Sequence, residues 1–422
     1  MRVFVYVLNK RGKPLMPTSP AKAKRLLRQG KATVAKRTPF TIRLNYETGE
    51  TVQNVVLGVD TGYKTVGLSA ITEKRELFSS EVELRTDIIK LLSEKRQYRR
   101  TRRNRLWYRQ ARFLNRVKFK KQGWLAPSVE HKLNEHVKAV EIVKSILPVS
   151  SIVVVVAAFD IQKIKNPEIS GAEYQNGEQT GFWNVREYVL YRDNHACQHC
   201  GGKSKDKILN VHHIEGRQTG GDRPDNLITL CEKCHGDYHK GKIELKIKKS
   251  KGFKAETVMS ILRWKIVERL RELGNVVNVT YGYLTKSSRI ALKLDKSHAN
   301  DAFCIAGGDR QEKLDYSYFI KFVRKCNRSL FKANLLKGGK KKVNTIKEVF
   351  GFKRWDKVLF GKVECFIYGL RSSGRFDIRR LTGEKINASV KHTNLRLMER
   401  FKTWRIAFPP PAKAGGLHAI IL

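Results

Sequence analysis

The chain has 422 residues, 41% of them hydrophobic, and sets 85 Lys and Arg against 39 Asp and Glu for a formal net charge of +46. Such a length buries more than one core, so roughly two to four domains are expected, and aromatic and β-branched residues throughout exclude a disordered chain. A folded protein this basic needs a polyanionic partner, because phosphate backbones release counterions when Lys and Arg dock on them.

Taken in chain order, residues 1–45 read as strand, turn, helix and an extended pair, with Ser19-Pro20 and Gly30 marking the helix ends. NVVLGVDTGYKTVGLSAITEK is two β runs about a glycine turn, and the first ends on the carboxylate of Asp60. From Lys95 to Lys121 there are thirteen Lys or Arg, no acid, and interleaved Tyr98, Trp107, Tyr108, Phe113 and Phe119. No breaker interrupts this helical stretch before Gly123. A solvated helix normally intersperses Glu at i,i+4, so an all-round cationic one is expected to lie against nucleic acid. A further helix, SVEHKLNEHVKAVEIVKSIL, leads to the apolar strand SIVVVVAAFDIQ and a Gly/Asn/Gln-rich linker at 166–180. FWNVREYVLYRDNH opens a compact unit that ends near 245. Then come an amphipathic helix at 255–274, the strand NVVNVTYG and the helix start SHANDAF. From about 312 short β runs alternate with basic turns, down to a proline-rich tail at 409–411. No run approaches the ~18 apolar residues of a membrane span, and MRVFVYVLNKRGKP lacks a signal-peptide core. An intracellular protein without a membrane partner is expected.

The seven cysteines divide into two CxxC pairs, Cys197/Cys200 and Cys231/Cys234, and the isolated Cys304, Cys326 and Cys365. Paired CxxC spacing in an intracellular chain points to zinc rather than disulfides, and four thiolates complete a closed tetrahedral structural site. The singles read as buried small hydrophobes. Between the knuckles lies NVHHIEGRQTGGDRPDNLITL. Adjacent residues of a strand face opposite ways, so His212 can hold a metal while His213 faces a phosphodiester. His235 follows the last thiolate, and His239 is one turn on. His213 is the expected general base, oriented by Asn226. His212 and His235, with His239 as a further ligand, would hold a divalent Mg or Mn ion at the scissile phosphate. This set resembles the HNH nuclease ββα-metal fold.

Asp60, His298 and Asp301 are pieces of a second acidic site, of the kind in which carboxylates hold two metal ions. With these pieces flanking the metal unit, the chain resembles the IscB family of transposon-associated RNA-guided DNA endonucleases, relatives of the type II CRISPR effectors. PLMP at 14–17, VDTG with Asp60, RRTRR at 99–103, VVAAFDIQ, the CxxC/HH/N/CxxCH set and SHANDAF carry the resemblance over essentially the whole chain. It implies an α/β multidomain fold: a split RNase-H-like (RuvC) core, an inserted ββα-metal HNH domain, an arginine-rich bridge helix, a small N-terminal α+β module and a β-rich C-terminal region. The implied boundaries are a PLMP module at 1–50, RuvC segments at 51–85, 126–180 (with linker) and 249–311, a bridge helix at 86–125, HNH at 181–248 and a basic C-terminal domain at 312–422. Arg99, Arg100, Arg102, Arg103, Arg105, Arg109, Arg112 and Arg116 would bind nucleic acid. The implied partners are a guide non-coding RNA and a double-stranded DNA target, in a monomeric ribonucleoprotein of a prokaryotic cytoplasm, nucleoid-associated on DNA. HNH would cut the guide-paired strand and RuvC the displaced one, with the C-terminal domain on guide RNA and target-adjacent DNA.

One residue departs from that pattern. The family carries a glutamate five residues before the AFD aspartate, and Val155 stands there. Its same-face neighbours Val153, Ala157 and Phe159 bind no cation, and Asp160 faces the other way. A nickase is therefore expected. Two other readings are a guide-RNA-dependent DNA-binding transposon accessory and a protein-only HNH homing-type endonuclease. The latter leaves Asp60, His298, Asp301 and the arginine helix idle.

Overall fold

A computed structural model describes residues 3–104, 123–156, 182, 184–215, 222, 224–245, 254–324 and 347–408. The chain divides into two compact units, Met1–Ala157 with Val258–Leu422, and Ala158–Thr257.

The first unit opens with a four-stranded sheet of β1 (Val5–Leu8), β2 (Pro14–Thr18), β3 (Ala32–Lys36) and β4 (Thr41–Leu44), in the order β2-β1-β4-β3. Helix α1 (Pro20–Arg28) starts where Ser19 Oγ accepts from Lys22 N and packs Ala23 and Leu26 on Val5, Val7 and Ile42.

The main sheet begins as an antiparallel meander of β5 (Val56–Asp60), β6 (Thr65–Ile71) and β7 (Glu76–Glu83). After α2 (Ile88–Asn104) and α3 (Pro127–Lys144), β8 (Ser151–Val155) adds parallel to β5, and β11 (Val277–Thr280) parallel to β8. Alternation sends Leu57, Val59, Ile152 and Val154 into one core with Leu133, Val137 and Val140 of α3. Met259, Leu262 and Ile266 of α6 (Lys254–Glu272) join the same core. The opposite side of β5 and β6 receives α8 (His298–Ile305), and two glycines make room for it. A Cβ on Gly58 would overlap the Ala302 carbonyl oxygen, and one on Gly67 that of His298. A helix–sheet approach this close needs glycine at both positions.

Both ends of the region expected as a C-terminal domain at 312–422 pair with the main sheet. β12 (Tyr318–Phe322) pairs parallel with β7, and β20 (Trp404–Ala407) pairs antiparallel with β12, so both extend the main sheet to β11-β8-β5-β6-β7-β12-β20. The alternating burial of YFIKF matches a strand with one face on a core. Between them lie a small hairpin, β13 (Glu348–Val349) with β14 (Phe352–Lys353), and an antiparallel sheet in the order β18-β17-β16-β15-β19. Its strands are β15 (Lys357–Phe360), β16 (Val363–Leu370), β17 (Arg375–Arg379), β18 (Lys385–Lys391) and β19 (Leu395–Glu399), around Val358, Cys365, Ile367, Phe376 and Ile378. The sequence reading also passes over α7 (Gly282–Ala291), which follows β11 directly.

The second unit holds α4 (Val185–Arg192), the antiparallel pair β9 (Leu209–His213) and β10 (Leu227–Cys231), and α5 (Glu232–His239). The buried Asp193 carboxylate accepts from Thr229 N at 2.8 Å and pairs with Arg192, which also donates to the carbonyls of Pro224 and Leu227. Among the described residues no helix is long and apolar enough to cross a membrane.

Candidate functional site

The second unit gathers two ligand sets. The Sγ atoms of Cys197, Cys200, Cys231 and Cys234 all lie within 4.8 Å of one another, from the loop before β9, the end of β10 and the first turn of α5. Zinc bonded to sulfur at about 2.3 Å places tetrahedral sulfurs about 3.8 Å apart. Cys200 Sγ and Cys231 Sγ stand 3.9 Å apart, so the quartet fits zinc. Hydrogen bonding to Ser204 pulls the Cys200 thiol down to about 6, while burial pushes Cys234 up.

Ligand nitrogens of His212, His235 and His239 form the second set, again within 4.8 Å, with His235 Nε2 and His239 Nε2 at 3.2 Å. His212 is turned inward from β9, and burial, then His235, His239 and His213, hold it down to about 4. Burial and His239 likewise lower His235. Three imidazoles suit a transition ion better than Mg, which prefers oxygen donors.

His213, next along β9, faces the other way, and its Nε2 lies 2.9 Å from Asp222 Oδ1. Asn226, expected to orient His213, instead closes the connecting loop. Its Oδ1 accepts from Glu215 N and its Nδ2 donates to Glu215 O, both at 2.8 Å, while Ile214 N donates to its carbonyl. It fixes the backbone just beyond His213, and Asp222 holds the ring.

In the first unit, Asp60 ends β5 beside the start of α8, and its Oδ2 is 2.6 Å from His298 Nδ1. That hydrogen bond, ahead of the opposing burial, raises the imidazole above its ordinary value. Asp301 pairs with Arg289 of α7 at 2.9 Å, and burial raises its carboxyl. Glu81, across β6 from Asp60, accepts the His298 backbone N–H at 3.1 Å and anchors the start of α8. Val59 pairs with Val154, so buried Val155 stands level with Asp60 on the neighbouring strand. The three expected ligands are thus neighbours. Among the described residues, however, only the two sets of the second unit close to 4.8 Å. Here one carboxylate is taken by a histidine and the other by an arginine.

Of the arginines expected to bind nucleic acid, Arg99 and Arg100 are exposed on α2, and Arg102 and Arg103 lie within that helix. Arg105, Arg109, Arg112, Arg116, Asp160 and Cys326 lie outside the described residues.

Residues 5–177 match the RRXRR protein family, and residues 197–241 match the HNH endonuclease family. The chain thus carries an RRXRR match and, separately, an HNH endonuclease match. Both ligand sets of the second unit fall inside the HNH match, and Asp60 falls inside the RRXRR match. No curated protein matches the chain. Similar solved structures include Streptococcus thermophilus Cas9 in complex with an AGGA PAM, at 14% identity, covering 43% of this chain and 26% of that one, with a TM-score of 0.29. Another is the type II-C Cas9 enzyme from Actinomyces naeslundii, at 11% identity, covering 61% of this chain and 60% of that one, with a TM-score of 0.25. The chain thus spans about a quarter of the Streptococcus protein's length, and at these scores neither likeness informs the site.

Sequence reasoning missed three residues of these sites. Asp222 sits in GGDRPDN, which reads as a turn. Arg289 lies on the helix that was passed over. Glu81 is 217 residues from the amide it accepts.

Proposed function

We propose that the protein is an RNA-guided DNA endonuclease whose HNH site cuts the guide-paired strand and whose sheet-edge acidic site is impaired toward the displaced strand. The observation that carries the reading is the opposed pair on β9, with His212 in a three-histidine cluster and His213 held by Asp222 on the other face.

With Nε2–H donating to Asp222, Nδ1 of His213 is the nitrogen left to take a proton from an attacking water. The Asn226 clamp on Glu215 limits movement of the His213 backbone. When bound by His212, His235 and His239, a divalent cation supplies charge neutralisation at the scissile phosphate and the leaving oxygen. The cysteine quartet, loaded with zinc, fixes the end of β10 and the start of α5, and so the direction of His235 and His239.

Guidance by RNA is supported by the sequence resemblance to the IscB family, the RRXRR match at 5–177, the net charge of +46 and the exposed arginines of α2. The strand order β7-β6-β5-β8-β11, with Asp60 at the carboxyl end of β5, supports an RNase-H-like reading of the main sheet. Impairment is supported by Val155 beside Asp60 and by the engagement of Asp60 and Asp301 with His298 and Arg289.

The test is cleavage of a matched plasmid, labelled on either strand, by the full-length protein with its guide RNA and Mn or Mg. A nick in the guide-paired strand with little linear product is expected. Linearisation as fast as nicking would remove the nickase reading, and RNA-independent cutting would remove guidance.

A further inference from the structure

The carboxyl ends of β5, β8 and β11 lie on one edge of the main sheet, because the three strands run parallel. Asp60 ends β5, and Thr280 ends β11 in register with Val155. At about 4.8 Å per strand, Thr280 is roughly 10 Å from Asp60. The chain then turns directly into α7, whose Arg289 reaches Asp301. Ligands of open α/β sheets bind beyond this edge.

Two large aromatic rings stand where α7 begins. Tyr281 is 45% exposed and Tyr283 70% exposed, with ring centroids 6.1 Å apart and planes 15° from parallel. Leu284 and Ile290 are exposed on the same helix. Lys286 on that helix and Lys293 just past its end are exposed too, and residues 281–296 contain one acid, Asp295. Near-parallel exposed rings among cations have the chemistry of a stacking platform for unpaired bases, with lysines for the phosphates. A protein partner would be expected to bring acids to these lysines and to cover Leu284, whereas every base offers a π-face. On a chain of net charge +46, the fitting partner is a single-stranded polyanion.

We infer that Tyr281 and Tyr283 form a base-stacking platform that receives single-stranded DNA beside the Asp60 edge. The platform rests on reading this edge as the displaced-strand site, and it names the surface that would hold that strand whether or not the strand is cut. Tyr281 and Tyr283 belong to the first unit and the HNH residues named above to the second, so guide-paired nicking is expected to be independent of them.

The test uses the full-length protein and a short oligothymidine carrying 5-iododeoxyuridine, in EDTA so that no cleavage intervenes. Ultraviolet cross-linking followed by peptide mapping is expected to label the peptide containing residues 281–283. The Tyr281→Ala/Tyr283→Ala variant should lose that label and bind roughly fivefold or more weakly, by the same factor at low and high salt, because stacking does not release counterions. The Tyr281→Phe/Tyr283→Phe variant should keep both. Cross-links confined to other peptides, unchanged affinity in the alanine variant, or equal loss in the phenylalanine variant would each overturn the platform. Loss of oligouridine binding alone would reassign it to RNA and overturn the DNA assignment. Guide-paired nicking, measured on the same variants, should stay unchanged. Failure of that nicking in the unsubstituted protein speaks against the nuclease reading and leaves the platform to its own cross-link.

Discussion

Asp60 Oδ2 and His298 Nδ1 stand 2.6 Å apart, joining the end of β5 to the first residue of α8 across 238 positions of sequence. The bond gives Asp60 an imidazole partner where a two-ion site would use the carboxylate for metal. Val155, level with Asp60 on β8, adds no third carboxylate. Val155→Glu is therefore expected to introduce cutting of the displaced strand, read as linear plasmid beside the nicked circle. In EDTA the variant should melt below the unsubstituted protein, because a buried carboxylate is placed beside Asp60, and Mn should restore the melting temperature. Absence of both the linear product and the Mn effect would show that more than Val155 disables this edge.

At the other site the pair His213–Asp222 sets the expectation. His213→Ala should lower nicking by about 10²–10⁴-fold, the usual contribution of a positioned general base. Asp222→Asn should lower it by at least about tenfold, through loss of ring orientation and tautomer. Binding of guide RNA and matched duplex should be preserved in both, as measured by gel shift. Loss of binding together with cutting would make these residues structural.

The cysteine quartet predicts a metal-dependent fold for the second unit. Structural zinc sites of this size contribute about 10–16 kcal/mol in isolated peptides, more than a small unit can replace. Cys231→Ser should lower zinc content from one equivalent per chain and open residues 184–245 to limited proteolysis. The first unit should keep its protection pattern. Retained protection without zinc would mean that the core of Ile228, Leu230 and the cysteines suffices alone.

His136 offers a pH signature in the first unit. It is fully buried on α3, its Nδ1 2.8 Å from the Lys132 carbonyl, and burial holds it down to about 4. The unfolded chain titrates near 6.5, so protonation favours unfolding. The stability held by neutral His136 is complete above about pH 6.5 and falls as the pH drops toward 4. Over that window the loss is roughly 3 kcal/mol. A His136→Gln variant should show a flatter melting temperature between pH 7 and 4.5 than the unsubstituted protein. Identical slopes would place the acid sensitivity elsewhere.

What the sequence disclosed follows from local rules. The CxxC spacing, the opposite facing of His212 and His213, and the carboxylate ending an apolar strand are consequences of strand and helix geometry within a few residues. What it hid is non-local. Glu81 meets the His298 amide only after two sheet turns bring β7 over, and Arg289 meets Asp301 only once α7 folds back on α8. Asn226 was placed in the right loop, but its small amide spans to the Glu215 backbone and leaves the ring to Asp222. Which sheet the ends of the C-terminal region join was not legible, because a five-residue alternating strand such as YFIKF does not declare its partner.

Phe322 and Trp404 are ladder partners on β12 and β20. Cα atoms so paired lie about 5 Å apart, so everything between them departs from and returns to nearly one point of the main sheet. The five-stranded sheet is hung there as a cassette with its own core. Such a graft can be exchanged for another of different surface without disturbing Asp60, His298 or the strands that carry them. Divergence of this lobe is thereby uncoupled from divergence at the sheet edge.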